Sequence, residues 1–535
     1  MNLLNDKWIP ILRMSGKSED ISPHQIFTDQ ETDPVLSICS PYPHFDAALL
    51  QFLIGLFQWM ELLEDEEDLM DLLISPPSPN EVSGKLNSIK HAFELFDDKT
   101  PFMQENPLDG GSFPIEMLGL ERPGENTRKL RTDWFYKHDE VKGVHPHAAA
   151  MMLLSAQAFA PQSGSGYKVS IRGSSPLSTI IEIKSNPQNS DKPPTLWQQI
   201  AVNLLDSKSM ESLTADKSKN QLSDIFPWME PERFVGKSIH PQDAHPLQAY
   251  FAMPQRFKLE LSDNSGNCSL TGKHTNRLIE SFIKTKKGVD YQLNWIHPLC
   301  PIQVSDKDGR YAMRKGAVGH RNWPVYAMTL SDTSEPAPIV SQNLRNFDLK
   351  GEIQINAEKA EFKINDFMRW QQAQMPLFHL EEGENRLLKE VVDQLLEGNQ
   401  IIIDITAEHI RSFPKHQANS NLFSKKDRPI VKAKVSESLW QRSESRFYET
   451  LSLVIEKIAE GTHHPEDFDA LRDQFRKDLI EQALEEFKKW IIPLGIGESE
   501  RDQVLALNGM NRSLRGSLIR KKMGMSLNNE EKVAA

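Results

Sequence analysis

Apolar residues in the C-terminal part of the chain recur with the spacing of an α-helix. One stripe occupies positions i, i+1, i+4 and i+5 before Gly398, and its members are Leu387, Leu388, Val391, Val392, Leu395 and Leu396. A glycine directly after such a stripe favours a helix end, so this helix is predicted to stop at Gly398. Similar stripes predict helices over Ser436–Ala459, Glu466–Ile492 and Ser499–Lys522, the last weakened by two internal glycines. Four stripes joined by short connections predict a four-helix bundle.

The first part of the chain has a different pattern, in which strand-like runs and helices alternate with proline-rich loops. Strict alternation over Phe257–Leu261 predicts a strand, and Ile180–Ile183 is a second candidate. Buried helices are predicted over Phe45–Leu63 and His147–Ala160. The predicted fold class is therefore α+β, with a large mixed α/β domain over residues 1–375 and a C-terminal four-helix bundle over residues 376–535.

Charge and cysteine content restrict the function classes. The 535 residues include 75 Asp and Glu against 62 Lys and Arg, a net charge of −13. This balance argues against a protein that coats nucleic acid, but a local basic patch remains compatible with it. Three cysteines (Cys39, Cys268 and Cys300) cannot form a disulfide framework and indicate a reducing compartment. The N-terminus lacks a secretory pattern and Ala47–Met60 is too short for a membrane span, so we expect a cytoplasmic protein without membrane contact.

Sequence motifs of common enzyme classes are missing. The chain contains no Gly-x-x-x-x-Gly-Lys-Ser/Thr, no His-Glu-x-x-His and no Gly-x-Ser-x-Gly. His138–Asp139 is a dipeptide found in metal-dependent phosphohydrolases, but no further ligands can be identified beside it. Cys268, Cys300, His274 and His297 could supply four zinc ligands, yet they lack a Cys-x-x-Cys pair and favour ordinary buried residues. We predict no structural zinc and no cofactor.

Three basic segments change this picture. They are Thr271–Asp290 with Lys273, Arg277, Lys284, Lys286 and Lys287; Arg128–Lys142 with interleaved Trp134, Phe135, Tyr136 and His138; and a C-terminal group of Arg512, Arg515, Arg520, Lys521 and Lys522. Cationic and aromatic side chains in one loop suit nucleic acid, because cations bind phosphates and rings stack on bases. Each segment alone is also typical of a solvated face. Three of them in an acidic chain favour a binding role without identifying it.

Short motifs along the chain follow the order and spacing of one known family. They are Leu3–Ile11, Pro101–Gln104, Ala160–Pro161 followed by Tyr167–Lys168, Arg172–Gly173 and Pro176, then Phe282–Lys286 and Trp295–Pro298. On these residues the chain resembles the CasA family, the large subunits of type I-E Cascade, an RNA-guided CRISPR surveillance complex. The C-terminal helices are similar to the family's in content and length.

The resemblance implies a non-catalytic subunit that recognises the protospacer-adjacent motif on double-stranded DNA and promotes duplex opening with the crRNA. It also implies recruitment of a helicase-nuclease. The expected partners are the DNA target, that helicase-nuclease, and a crRNA-containing Cascade with backbone, small, 5′-end-capping and crRNA-processing subunits. Sequence specificity would come from the guide RNA, while the protein reads a short duplex element.

Two of the family's three DNA-contacting elements match this sequence clearly, and the third does not. The glycine loop matches Gln162–Gly166, with Ser163, Gly164, Ser165 and Gly166 as DNA-binding candidates and Lys168 beside them. The lysine finger matches Lys286, with Lys284 nearby, and a lysine suits the degenerate acceptors of the minor groove. The glutamine wedge has no clean counterpart; spacing places it around Phe362–Asp366, with Lys363 or Asn365 as candidates.

A further family loop, which contacts the rest of the complex at the guide's 5′ end, matches Trp134–Lys142. Trp134, Phe135, Tyr136 and His138 are the docking candidates within it. Two alternatives remain open at this point. One is a stand-alone nuclease that uses His138 and Asp139, and the other is a scaffold that does not contact nucleic acid.

Overall fold

The computed structural model describes residues 1–122, 125–131, 137–161, 164–213, 218–314, 316–329, 331–363, 366–415, 420–421, 423–462, 464–494 and 500–525. The chain divides into two compact units. The first unit comprises Met1–Val318 with Val325–His379, and the second comprises Gly319–Pro324 with Leu380–Ala535. Helix and strand are mixed in the first unit and helices predominate in the second, which confirms the predicted fold class.

The strands of the described residues are mostly short. In chain order they are β1 (Ile9–Arg13), β2 (Ser18–Ile21), β3 (Val35–Ile38), β4 (Gly111–Pro114), β5 (Leu177–Ile183), β6 (Ser238–Ile239), β7 (Arg256–Leu261), β8 (Gly266–Asn267), β9 (His274–Thr275), β10 (Ile279–Thr285), β11 (Asp290–Tyr291), β12 (Ile302–Ser305), β13 (Gly309–Ala312), β14 (Ser334–Glu335), β15 (Ile353–Lys363), β16 (Asp366–Pro376), β17 (Pro414–Lys415) and β18 (Ser420–Asn421).

The α-helices of the described residues are α1 (Pro43–Trp59), α2 (Leu69–Ile74), α3 (Pro79–Asn87), α4 (Glu125–Leu130), α5 (Pro146–Ala158), α6 (Leu196–Ala201), α7 (Ser207–Glu211), α8 (Leu222–Ile225), α9 (Pro231–Phe234), α10 (Trp323–Ala327), α11 (Pro338–Asn343), α12 (Glu382–Arg411), α13 (Arg428–Ala459), α14 (Asp469–Leu494), α15 (Glu500–Leu514) and α16 (Ser517–Lys522). The predicted helices α1 and α5 and the predicted strands β5 and β7 are present with shifted ends. None of the described helices is both long enough and apolar enough to cross a bilayer.

The core of the first unit forms around α1 and α5. Both helices begin with a proline in the first turn, where the missing N–H costs no hydrogen bond, and both are buried on nearly every side. An aromatic cluster packs beside α1 with edge-to-face contacts, and its members are Phe52, Phe93, Phe102, Phe226, Trp228 and Phe251. This core supports two antiparallel three-stranded sheets, ordered β4-β10-β7 and β16-β15-β5, that matter for the candidate site.

The second of these sheets carries a long β-hairpin. The β15 strand pairs with β5 only over Ile353–Lys359, whereas its pairing with β16 continues to Lys363 and Asp366. The end of the hairpin therefore extends beyond β5. The register shifts between Glu361 and Phe362, near the turn.

In the second unit, α12, α13 and α14 pack against one another, and α15 and α16 complete the described helices. The predicted helix end at Gly398 is wrong, because α12 continues to Arg411. A Cβ atom at residue 398 would lie 2.4 Å from Cγ of Met523, so this glycine permits close packing inside a continuous helix. The predicted fourth helix is divided instead at Gly516, which precedes α16 as its N-cap.

Candidate nucleic-acid interface

The described part of the glycine loop, Gly164–Gly166, is an exposed turn. Gly164, Ser165 and Gly166 are all exposed. Gly164 and Gly166 have φ angles of +94° and +90°, which only glycine adopts readily. The amide of Tyr167 donates a hydrogen bond to the carbonyl oxygen of Gly164 at 3.3 Å and closes the turn. Ser163, the remaining predicted loop residue with a side-chain hydroxyl, lies outside the described residues.

Lys286 lies beside this loop, in the turn that follows β10. The backbone amide of Lys287 donates to the carbonyl oxygen of Gly166 at 2.8 Å. A Cβ atom at residue 166 would lie 3.0 Å from Cδ of Lys286, so the glycine lets the lysine side chain cross the loop closely. The structure thus brings together the glycine loop and Lys286, which are more than a hundred residues apart in sequence.

Two contacts fix the backbone of the Lys286 turn. A Cβ atom at residue 288 would lie 1.9 Å from the carbonyl oxygen of Pro254, so only glycine fits there. The guanidinium of Arg256 donates to the carbonyl oxygen of Lys286 at 3.2 Å, and the same group binds Glu105 through two hydrogen bonds of 2.5 and 2.7 Å. The turn is therefore held by backbone packing and by a charge-assisted bidentate pair.

Lys286 is an exposed residue, and among the described residues no carboxylate lies within 4 Å of its ammonium group. Lys168, in contrast, forms an ion pair of 2.6 Å with Asp290. The Lys168 carbonyl also accepts a hydrogen bond from the side-chain amide of Gln255. The Lys168 side chain is thus held by an ion pair within the protein, while the Lys286 side chain can donate hydrogen bonds to a bound molecule.

Lys284 has a third environment. Its Nζ lies 4.5 Å from the ring centroid of Tyr167 and 5.5 Å from that of Phe257, within cation–π range of both. Burial lowers the pKa of Lys284 to about 8, because the charged form loses hydration there. The side chain packs between aromatic rings in this structure, and its role as a DNA ligand stays a prediction.

The predicted wedge range, Phe362–Asp366, spans the end of the long hairpin. The β15 strand ends at Lys363 and β16 begins at Asp366. Asn365 and the Lys363 side chain lie outside the described residues. At the base of the turn, the rings of Phe362 and Phe367 pack edge to face with centroids 5.7 Å apart.

Of the docking candidates, only His138 lies within the described residues; Trp134, Phe135 and Tyr136 do not. The His138 side chain is about one-third exposed (31%), and its Nε2 lies 3.9 Å from a carboxylate oxygen of Asp139. Asp139 also contacts Arg128 at 3.2 Å, and Arg128 binds the buried carboxylate of Glu116. The dipeptide that suggests a phosphohydrolase is therefore part of a loop-anchoring ion network.

The four residues considered as zinc ligands have unlike surroundings. Cys268 is buried in the β8–β9 turn and His274 is exposed on β9. Cys300 is buried next to Arg172, and His297 is buried nearby with its Nδ1 accepting from the amide of Leu299. Among the described residues, no three or more His, Cys, Asp or Glu side chains form a group that could hold a metal ion.

Sequence reasoning missed three residues that shape this interface. Tyr167 stacks on Lys284, Asp290 neutralises Lys168, and Arg256 binds the carbonyl of Lys286. Tyr167 occurs among the matched family motifs, but its partner comes from a distant strand. Neither Arg256 nor Asp290 shows a local pattern in the sequence, because only the fold places them here.

Comparisons with known proteins agree with this architecture. The Thermus thermophilus CasA (Cse1) structure has a TM-score of 0.68 at 15% sequence identity and covers 98% of this chain and 99% of that one. Thermobifida fusca Cse1 has a TM-score of 0.67 at 13% identity, with 99% of each chain covered. A chain of a structure described as a CRISPR RNA-guided surveillance complex has a TM-score of 0.64 at 13% identity and covers 96% of this chain and 99% of that one.

At these identities the solved structures establish the fold alone. The family is established by a sequence model, described as CRISPR-associated protein Cse1, that matches residues 2–485. This range includes the glycine loop, the Lys286 turn, the long hairpin, the helices α12 and α13, and the larger part of α14. The predicted family resemblance is thereby confirmed: the chain belongs to the CRISPR-associated Cse1 (CasA) family.

Proposed function

We propose that this protein is the non-catalytic large subunit of an RNA-guided CRISPR surveillance complex of type I-E, and that it reads the protospacer-adjacent motif of double-stranded DNA. The observation that carries the proposal is the apposition of Gly166 and Lys286 at an exposed surface. The lysine side chain crosses a loop without side-chain bulk, and in the described part of the chain no carboxylate neutralises it.

The chemistry of this pair suits the minor groove. A narrow groove admits backbone and slender side chains, and its base edges present mainly acceptor atoms. Lys286 donates to these acceptors, while the Gly164–Gly166 backbone lies against the sugar-phosphate chain. Because the acceptors are degenerate, the pair accepts several related motifs.

The remaining predicted elements have separate roles in this proposal. The end of the β15–β16 hairpin, with Lys363 or Asn365, separates the base pair next to the motif. The loop over residues 134–142 docks on the crRNA-containing complex. Exchange of the opened duplex for a crRNA–DNA heteroduplex then proceeds with little net free-energy change, and the helicase-nuclease is recruited for degradation.

The test compares closed and opened DNA in the reconstituted complex. Lys286→Ala is expected to weaken binding of a closed duplex that carries the motif by about tenfold, the range of one lost base-edge contact. Binding of the same target with a pre-opened, mismatched protospacer should decrease by less than about twofold, because guide pairing dominates there. Equilibrium binding of labelled duplexes at one fixed salt concentration measures both values.

The matched control is Lys208→Ala, which removes an exposed lysine from α7. We expect this variant to bind both substrates like the natural protein. An equal loss of affinity for closed and pre-opened DNA in Lys286→Ala would contradict the motif-reading role. Unchanged affinity for both substrates would indicate that the basic turn is an ordinary solvated surface.

A further inference from the structure

The long hairpin and the glycine loop share a packing surface. Phe159 follows α5 and leads into the loop, and its ring packs edge to face on Trp370 of β16 with centroids 5.1 Å apart. Trp370 lies on the shaft of the hairpin, opposite Ala360 of β15. The hairpin therefore packs against a residue three positions before the predicted glycine loop.

Arg172 anchors the other end of the same loop segment. Its side chain is almost fully buried (1% exposed), and its guanidinium donates to the carbonyl oxygen of Ala158 at 3.1 Å and to the hydroxyl of Ser178 on β5. It also lies 5.3 Å from the centroid of the Phe159 ring. Phe159 and Arg172, which flank the glycine loop on its two sides in the sequence, thus meet at one buried contact.

A row of polar side chains continues this contact across the sheet. Ser178 of β5 is paired with Glu358 of β15, and Glu358 is paired with Gln372 of β16. The Gln372 side-chain amide donates to Glu358 at 2.8 Å. Burial raises the pKa of Glu358 to about 7, and the hydrogen bond from Gln372 and the charge of Arg172 oppose this rise. Side chains directly opposite each other on paired strands interact. This row of Ser178, Glu358 and Gln372 therefore connects the buried Arg172 side chain with β16 of the hairpin.

We infer that Phe159, Arg172 and Trp370 are positioning residues that couple motif binding at the glycine loop to insertion of the β15–β16 hairpin end into the duplex. The inference rests on the proposed function and adds the link between its two steps. Packed side chains with little free volume transmit a displacement instead of absorbing it. A shift of the loop against DNA therefore moves the ring of Phe159, and with it the hairpin shaft.

The experiment separates motif preference from duplex opening in the reconstituted complex. Opening is followed by stopped-flow fluorescence of a 2-aminopurine placed beside the motif in a closed duplex. Trp370→Leu is expected to slow opening by about tenfold, within the range measured for coupling through packed residues. Its preference for the motif over a scrambled motif, measured by binding of closed duplexes whose protospacer does not match the guide, should stay within about twofold of the natural protein, because the Gly166–Lys286 pair is untouched.

Two further variants complete the design. Gln371→Ala changes the neighbouring residue, which alternation places on the opposite face of β16, and is expected to open DNA at the natural rate. Gln372→Ala removes the exposed amide that binds Glu358 and should slow duplex opening by about threefold. If Trp370→Leu fails to assemble into the complex, the opening rate of Gln372→Ala tests the coupling instead.

An unchanged opening rate in Trp370→Leu, or in Gln372→Ala when that variant decides, would overturn the coupling. So would a parallel loss of motif preference and opening, since that result indicates general disruption. Lys286→Ala is assayed beside them as the reference for motif reading. If Lys286→Ala keeps full motif preference, the proposed function fails; if it loses preference while the hairpin variants open DNA normally, only the coupling fails.

Discussion

Two regions of the molecule are basic in sequence but differ in the ion pairs that their cations form. One is the turn Lys284–Asp290, and the other is the C-terminal segment Arg512–Met525 of the helical unit. In the second region two of the five cations are paired with carboxylates of the described residues, since Arg520 contacts Asp473 at 3.3 Å and Lys522 contacts Glu397 at 2.6 Å. In the first, Lys286 has no such carboxylate among the described residues. A local excess of lysine and arginine therefore does not identify a binding surface. The partners that the fold supplies decide which cations remain available.

In both regions a glycine permits another atom to pack where a Cβ would lie, but the kind of atom differs. At Gly288 the neighbour is the carbonyl oxygen of Pro254, a backbone atom with little freedom to move. At Gly398 the neighbour is the flexible side chain of Met523. The first arrangement sets the position of Lys286, whereas the second determines how closely a helix approaches the end of the chain.

The largest effect is expected from Gly288→Ala. The new Cβ would lie 1.9 Å from a backbone oxygen, so the turn must shift and the protein loses about 3 kcal/mol of unfolding free energy, the upper part of the overpacking range. Binding of motif-bearing duplex should be lost with it. Urea unfolding and duplex binding by the assembled complex measure the two effects. A variant with natural stability and binding would show that this turn is not fixed by its backbone.

A smaller effect is expected from Gly398→Ala. The added methyl group displaces Met523, at a cost of about 1–2 kcal/mol that is partly offset by the better helix propensity of alanine. Duplex binding at the Lys286 turn should remain natural. In a Met523→Ala background the same substitution should be neutral or stabilising, because the obstructing side chain is gone. Equal destabilisation in both backgrounds, measured by urea unfolding, would contradict the packing explanation.

A third effect concerns Lys284 and is visible as a pH dependence. Its folded pKa of about 8 lies below the ordinary value of 10.5, so between these pH values the unfolded chain binds more protons than the folded one. The unfolding free energy contributed by this residue therefore rises with pH across that window. Lys284→Met lacks this dependence, and its stability relative to the natural protein should be greatest below pH 8 and decline towards pH 10.5. A pH-independent difference in urea midpoints would show that Lys284 is not desolvated.

Periodic apolar patterns predicted the long elements because burial of one face determines them. The stripes before Gly398 and through Ser436–Ala459 became α12 and α13, and the alternating Phe257–Leu261 became β7. The end of α12 was misplaced because a glycine after an apolar stripe has the same sequence signature in two cases. It can end a helix, or it can lie inside a helix where another side chain packs closely, as Met523 does at Gly398. The β15–β16 hairpin was not predicted, although Ile353–Glu358 alternates apolar and polar residues as a half-buried strand does. The sequence of β16 lacks such regular alternation, so its strand had no comparable signal.

The candidate site was predictable in its parts but not as an assembly. The glycine loop and Lys286 were identified separately by family resemblance, and their contact depends on a hydrogen bond between distant segments. The aromatic environment of Lys284 and the pairing of Lys168 with Asp290 follow from tertiary packing, for which the local sequence carries no signal.

The hydrogen bond between the amide of Lys287 and the carbonyl of Gly166 joins the loop and the turn through main-chain atoms alone. Side chains at the neighbouring positions 165 and 286 can therefore be exchanged without removing this connection. The proposed DNA preference of this surface can therefore change through side-chain substitutions while the main-chain connection is kept. Large sequence divergence among proteins of one fold is the expected long-term result of that independence.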